Sequence, residues 1–195
     1  MVQLFRGTIN MSVNRPPFVP FQCPTHGTRH AKHFVIHDTE GHGTVESVSH
    51  YFTAQGLGYG INYITEQTGR MGSLGSFNAE TWHVIDHNSE CIGCENVGFA
   101  STSKHDWYDK YLHQLWAQAW IIAWVCGNLK IPFRQSARNR QWLYPSGVCR
   151  HLDVPDNDHT DPGSGYPFLF VLEHAQTWHN KGVPQYIQDI LRKAK

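Results

Sequence analysis

The chain has 195 residues, of which 40% are hydrophobic and 16% charged, and its formal charge is zero. That length suits one domain around a single core, and that composition excludes a disordered chain. The balance of 16 basic against 16 acidic residues argues against nucleic acid or an anionic membrane as partner, since both call for a basic face.

In chain order, residues 1–32 read as an irregular arm broken by Pro16, Pro17, Pro20 and Pro24. Its opening, "MVQLFRGTINMSVNRPPFVPF", lacks the uninterrupted apolar stretch of a signal peptide. His33–Ile36 reads as a short apolar strand, and His37 stands at its end where the chain turns out. Thr44–Gly56 reads as a helix stopped by Gly56 and Gly58. "INYITEQTGRMGSLG" reads as a strand, a turn at Gly69 and a return, and after a loop Cys91–Val97 forms another strand. The clearest element follows: Leu112, Leu115, Trp116, Ala119, Ile122, Ala123 and Cys126 recur at helical spacing, with Gly127 as the stop. Its most apolar part, Leu115–Cys126, is core rather than a cofactor box, and too short and too interrupted by Gln118 to span a bilayer. Arg134–Gln141 reads as a loop or short irregular helix. "YPFLFVLEHAQTW" and "PQYIQDILRKA" read as helices, the second starting at Pro184. The expected fold class is α/β: a single domain with a central mixed β-sheet flanked by helices.

Cys23, Cys91, Cys94, Cys126 and Cys149 are odd in number and irregularly spaced, which does not suggest a secreted disulfide framework; synthesis in a reduced cytosol fits better. Cys91 and Cys94 form a C-x-x-C, but in a strand positions i and i+3 point to opposite faces, which disfavours a redox or zinc-knuckle reading. His26, His30 and His33 have no carboxylate nearby in sequence and read as surface residues. Arg134, Arg138 and Arg140 could contact carboxylates of a peptide, with a solvated loop as the default.

The 14 histidines are the compositional oddity, since imidazole serves as metal ligand and as near-neutral acid or base. "VCRHLDVPDNDHTDPGSGYPF" (Val148–Phe168) packs His151, His159 and Asp161 into one irregular, proline-stiffened segment. With His37, two of these, His151 and Asp161, would make three N/O ligands and leave a fourth place for water, as catalytic zinc sites do. Spacing alone is weak evidence for such a set, because some His…His…Asp triple can be drawn among 14 histidines; a strand-end histidine and a capping turn at "DPG" are the plainer reading.

"VIHDTEG", "TWH", "IGCENVG" and "HLDVP…HTDPG" resemble, in order and rough spacing, the zinc N-acetylmuramoyl-L-alanine amidases. This family includes phage endolysins, muropeptide amidases and peptidoglycan-recognition proteins. The resemblance runs from about His33 to about Gly165. It implies a peptidoglycan-recognition-protein-like fold with a catalytic domain at 33–195, one Zn2+ held by His37, His151 and Asp161, and bacterial peptidoglycan as partner. Some members place a general-base glutamate in the strand motif; here that is Glu95, which would be costly to bury unpaired without a polar cavity. Members commonly carry Lys two residues before the Asp ligand to stabilise the oxyanion. Here that position is His159, which should make activity more pH-sensitive. "TWH" puts Trp82 and His83 at the family's substrate-groove rim, with His83 expected to contact substrate. The tyrosine some members place near zinc aligns at Ile61, and its role transfers to neither Tyr59 nor Tyr63. Gly56–Gly60 and Gly72–Gly75 are expected to edge the groove. The resemblance implies an endolysin-like peptidoglycan hydrolase, monomeric, with no nucleic acid partner and no membrane anchor, made without an export signal and acting on the wall after release. A non-catalytic peptidoglycan-binding module, or a zinc peptidase cutting within the stem peptide, are the alternatives.

Overall fold

The computed structural model describes residues 13–194 except 55, 57, 140, 141, 156 and 157. Along the chain come β1 (Val19–Pro20), β2 (His33–Asp38), α1 (Val45–Ala54), β3 (Tyr63–Thr65), β4 (Met71–Ser73) and β5 (Cys91–Asn96). Then follow α2 (Lys104–Asp109), α3 (Leu112–Leu129), β6 (Ala137–Asn139), β7 (Trp142–Tyr144), β8 (Gly147–Arg150), α4 (Phe168–Lys181) and α5 (Gln185–Lys193). Six strands form one sheet in the order β1-β4-β3-β5-β2-β8, while β6 and β7 pair as a separate hairpin. Within the sheet only β3 and β4 run antiparallel, so this is the mixed α/β sheet that the sequence pattern suggests.

β2 is buried along its whole length, as a strand covered on both faces must be. Its alternation divides the core. Phe34 and Ile36, with Ile92 and Cys94 of β5, join the side chains of α3 and α4 in the main cluster. Val35, Cys91 and Cys149 point the other way, into a smaller cluster with Val84, Leu143 and Val154. Cys91 and Cys94 thus lie on opposite faces as free thiols. Ile64 of β3 packs under Val45 of α1 in a third cluster.

Several elements differ from the sequence expectation, each for a tertiary reason. Gly127 is not a helix stop: α3 runs on to Leu129 and ends at Lys130 in the left-handed conformation. A Cβ on Gly127 would lie 2.6 Å from His179 Nδ1, so the glycine lets α4 pack closely against α3. The Arg-rich segment forms β6 of a hairpin rather than a loop or irregular helix, and Arg138 Nη2 donates to the Val154 carbonyl at 2.6 Å; Arg140 lies outside the described residues. His33 is not a surface residue but 3% exposed, its Nδ1 3.1 Å from Ser136 Oγ beneath that hairpin. Gly72 lies inside β4 against Val45 of α1, not at a groove edge. Residues 1–12 of the arm lie outside the described residues. The rest is irregular except at Val19–Pro20, which pairs with β4, and at the Thr28–Ala79 bridge. Phe18 stacks on Tyr63 with ring centroids 5.2 Å apart, which ties this segment to the sheet. Among the described residues, no helix is long and apolar enough to cross a membrane.

Candidate metal centre

β5, β2 and β8 are neighbours and parallel, so their C-terminal ends meet at one edge of the sheet. Each delivers a polar side chain there: Glu95 on β5, His37 on β2, and His151 directly after β8. His37 and Glu95 are register partners. Their side chains therefore share a face, on strands about 4.8 Å apart. The His37 carbonyl accepts from Asn96 Nδ2 at 2.9 Å, and Asn96 Oδ1 accepts from Thr65 Oγ1 at 2.7 Å. Gln114 of α3 donates in turn to the Thr65 carbonyl at 3.0 Å. The end of β2 is thus held from the helical layer.

His151 opens a single 3-10 turn, His151–Asp153. Arg150 fixes this turn, its backbone N and guanidinium both donating to the Asp153 carboxylate at 2.9–3.0 Å. The following loop returns through a 3.0 Å bond from Leu152 N to the Asp161 carbonyl, which carries the Asp161 side chain back over His151. His151 Nδ1 then lies 3.0 Å from Asp161 Oδ1, and His37 Nδ1 lies 3.6 Å from Asp161 Oδ2. One ligand atom from each of the three falls within 4.8 Å of the others, and all three residues are buried.

The electrostatics favour a cation. Burial, with His151 adding to it, pushes His37 down to about 4, so its imidazole is neutral at neutral pH. Burial alone would raise Asp161, but hydrogen bonds from His151 and His37, and their charge, hold its carboxyl well below the usual range. A neutral imidazole beside an ionised carboxylate is the state in which ligands bind a metal. Two imidazoles and one carboxylate, converging away from solvent, fit zinc or a similar borderline divalent ion.

Glu95 and Asp38 share this field. Glu95 Oε2 is buried without a hydrogen-bond partner. Burial, then the charges of Asp161 and Asp38, push its carboxyl well above the usual range. Asp38 is raised to about 7, by burial first and by Asp161 and Glu40 next. His159 stacks on His151 with centroids 4.0 Å apart. Its side chain is 51% exposed and its Nδ1 lies 3.4 Å from Asp161 Oδ1, so it flanks the cluster towards solvent.

Trp82 and His83 part company. Trp82 is exposed, its ring stacked on His26 at 3.6 Å and its Nε1 donating to Glu80 Oε1 at 3.2 Å. His83, expected at the groove rim, turns inward instead: its Nδ1 lies 3.0 Å from His37 Nε2. Burial, then the neighbouring His37, pushes its pKa well below the ordinary imidazole value. The fold therefore gathers His37, Glu95, His151, His159 and Asp161, adds His83, and leaves Trp82 outside. Sequence reasoning missed Asp38 and Asn96, for which the only signal is a polar residue in a buried strand at the parity opposite to the ligand face.

The family profile for N-acetylmuramoyl-L-alanine amidase matches residues 27–164. Among solved structures, the chain is similar to the "endolysine" N-acetylmuramoyl-L-alanine amidase LysCS from Clostridium intestinale URNW. That likeness has 14% identity and a TM-score of 0.55, and covers 83% of this chain and 97% of that one. It is also similar to AmpD, with 13% identity and a TM-score of 0.59 over 80% of this chain and 93% of that one. Staphylococcus aureus hydrolase AmiA, solved in complex with its ligand, gives 13% identity and a TM-score of 0.58 over 92% and 83% of the two chains. At these identities the likeness is one of fold. Curated protein sequences give no match.

Proposed function

The chain belongs to the N-acetylmuramoyl-L-alanine amidase family, and on that premise we propose that it hydrolyses the amide between N-acetylmuramic acid and L-alanine in bacterial peptidoglycan. The observation that carries this reading is the convergence of His37, His151 and Asp161 to within 4.8 Å, beside a carboxyl group, Glu95, that lacks a hydrogen-bond partner at Oε2. The three would hold one zinc ion. Zinc bound there would supply a Lewis acid that acidifies water and polarises the scissile carbonyl.

The chain's own residues do the rest. Glu95 accepts a proton from the attacking water and passes it to the departing amine. Burial gives its carboxyl a raised proton affinity, which suits holding that proton, while a cation nearby favours the carboxylate needed at the start. His159, half exposed beside Asp161, donates a hydrogen bond to the developing oxyanion in the place where relatives commonly carry lysine. One such donor is worth about a hundredfold or more in turnover. In the metal-free protein Asp161 is held ionised and His37 neutral, the forms in which each can bind a metal. An endolysin-like role, with action on the wall after release, goes with this reading and is supported by the similarity to LysCS.

Mass spectrometry of digested peptidoglycan, alongside metal analysis of the purified protein, tests it. New L-alanine amino termini with intact glycan, and about one zinc per chain, are the expected results. New termini within the stem would make it a peptidase, no new termini a binding module, and full activity of a verified metal-free preparation would overturn the mechanism.

A further inference from the structure

His83 stands outside the ligand set, yet an unusual share of the local structure is committed to it. Its Nδ1 lies 3.0 Å from His37 Nε2, and the two rings meet edge-on at 79°, 5.0 Å between centroids. His37 turns its other nitrogen, Nδ1, towards Asp161 and the shared donor cluster. A ligand imidazole is oriented, and its tautomer chosen, by whatever its second nitrogen bonds to.

The backbone around His83 is clamped. Asn88 Oδ1 accepts from both His83 N and Val84 N at 2.8 Å. Asn62 Oδ1 accepts from Thr81 Oγ1 at 3.0 Å and from Gly93 N at 3.3 Å, joining the segment before His83 to the middle of β5. Gly93 is the residue beneath the ring. A Cβ there would sit 2.7 Å from His83 Cε1 and 2.8 Å from its Nδ1, closer than van der Waals contact permits. The strand thus forgoes a side chain where His83 lies on it.

From this we propose that His83 is a positioning residue: it accepts the Nε2 proton of His37 at its own Nδ1. This locks His37 in the tautomer whose Nδ1 lone pair faces Asp161. The proposal rests on the zinc reading above. In that arrangement His83 lies outside the three-residue ligand group and acts through His37. It sets the direction and basicity of one ligand, and Gly93 and Asn88 keep the ring in place.

The experiment compares zinc affinity, by competition with a chromophoric chelator, in wild type, His83→Ala and His83→Asn. An asparagine Oδ1 occupies roughly the place of histidine Nδ1 and can accept the same proton; alanine cannot. Loss of such an outer partner typically weakens metal binding roughly 10–100-fold, so His83→Ala should fall by that factor while His83→Asn recovers most of it. Long-range proton–nitrogen NMR of the zinc-loaded wild type gives a readout that needs no variant: His37 should carry its proton on Nε2 and the metal on Nδ1. Equal affinity in all three proteins, or zinc on His37 Nε2, overturns the proposal. If the wild type binds no zinc at all, the functional reading fails instead, and the two failures are told apart.

Discussion

Glu95→Gln should raise stability and lower activity, in amounts that depend on pH. In the metal-free protein Glu95 sits among Asp161 and Asp38 with Oε2 shut from solvent, and burial followed by those charges raises its pKa well above the usual range. The folded state therefore holds a proton that the unfolded chain has released. The sign follows: where the folded state binds more protons, stability falls as pH rises. From about pH 5 to pH 7 the slope is at most about 1.4 kcal/mol per pH unit, or up to ~2.7 kcal/mol across the window. Glutamine keeps the shape and removes the titration. The variant should thus gain on wild type as pH rises from 5 to 7, by no more than about 2.7 kcal/mol, and its Tm should rise relative to wild type over the same window. The assay is urea or thermal unfolding of EDTA-treated proteins at pH 5, 6 and 7, followed by circular dichroism. With zinc restored, the same variant should retain metal and lose about 10²- to 10⁴-fold in turnover, the usual worth of a general base. Parallel stability–pH curves for the two proteins would show that Glu95 does not carry a strained proton, and the electrostatic reasoning would fail.

Three further expectations come from the same geometry. His151→Ala removes one of three ligands and should abolish zinc retention, read by elemental analysis, and peptidoglycan lysis, while costing the metal-free fold only about 1–3 kcal/mol; a lytic variant would remove His151 from the site. His159→Ala removes the one proposed oxyanion donor beside Asp161 and should lower turnover about a hundredfold or more with zinc still bound; unchanged turnover would argue against an oxyanion role. His33 lies far along β2 from the cluster, and burial pushes it down to about 4. The unfolded chain takes up that proton first, so stability present above about pH 6.5 is lost as pH falls towards 4, by up to about 3 kcal/mol. His33→Gln should flatten that part of the wild-type curve in urea titrations; identical acid limbs would refute it.

What the sequence disclosed divides along a physical line. Period-two and period-3.6 patterns report on which way a side chain points, so β2, β5 and α3, and the opposite facing of Cys91 and Cys94, were legible. His37, His151 and Asp161 were candidates by residue type, a resemblance between short motifs singled them out and added Glu95 and His159, and the fold brings the five together. What escaped is contact between distant segments. Gly127 reads as a helix stop until the His179 ring is seen at 2.6 Å from where its Cβ would be. His83 reads as a rim residue because nothing local reveals that β5 leaves a glycine beneath it. The β6–β7 hairpin is exposed and polar along β6, so it lacks the apolar alternation by which strands are recognised. Its pairing with β7 and the Arg138 bond to Val154 fix it instead.

The sheet order explains why this edge suits a reactive site at all. Three adjacent parallel strands end together, and strand spacing rather than side-chain packing sets the distance between His37 and Glu95. Of the three proposed ligands Asp161 arrives on a loop, and the Leu152–Asp161 backbone bond and the Arg150–Asp153 pair restrain that loop at its root. Such rigidity has a thermodynamic consequence. Three carboxyl groups, buried Asp38 and Asp161 and half-buried Glu95, are held near one another, and two of them have their proton affinity raised by burial and by their neighbours' charge. A flexible site would relax by letting them part; here the backbones of Asp38 and Glu95 cannot separate without breaking β2–β5 pairing. A divalent cation among them relieves the repulsion directly, so ion binding and folding must be coupled. At a free zinc concentration 100 times its dissociation constant, the stabilisation should reach about 2.7 kcal/mol. In Glu95→Gln there is no carboxyl for the ion to convert to its charged form, so the zinc-induced stabilisation should be smaller than that of wild type at the same free zinc.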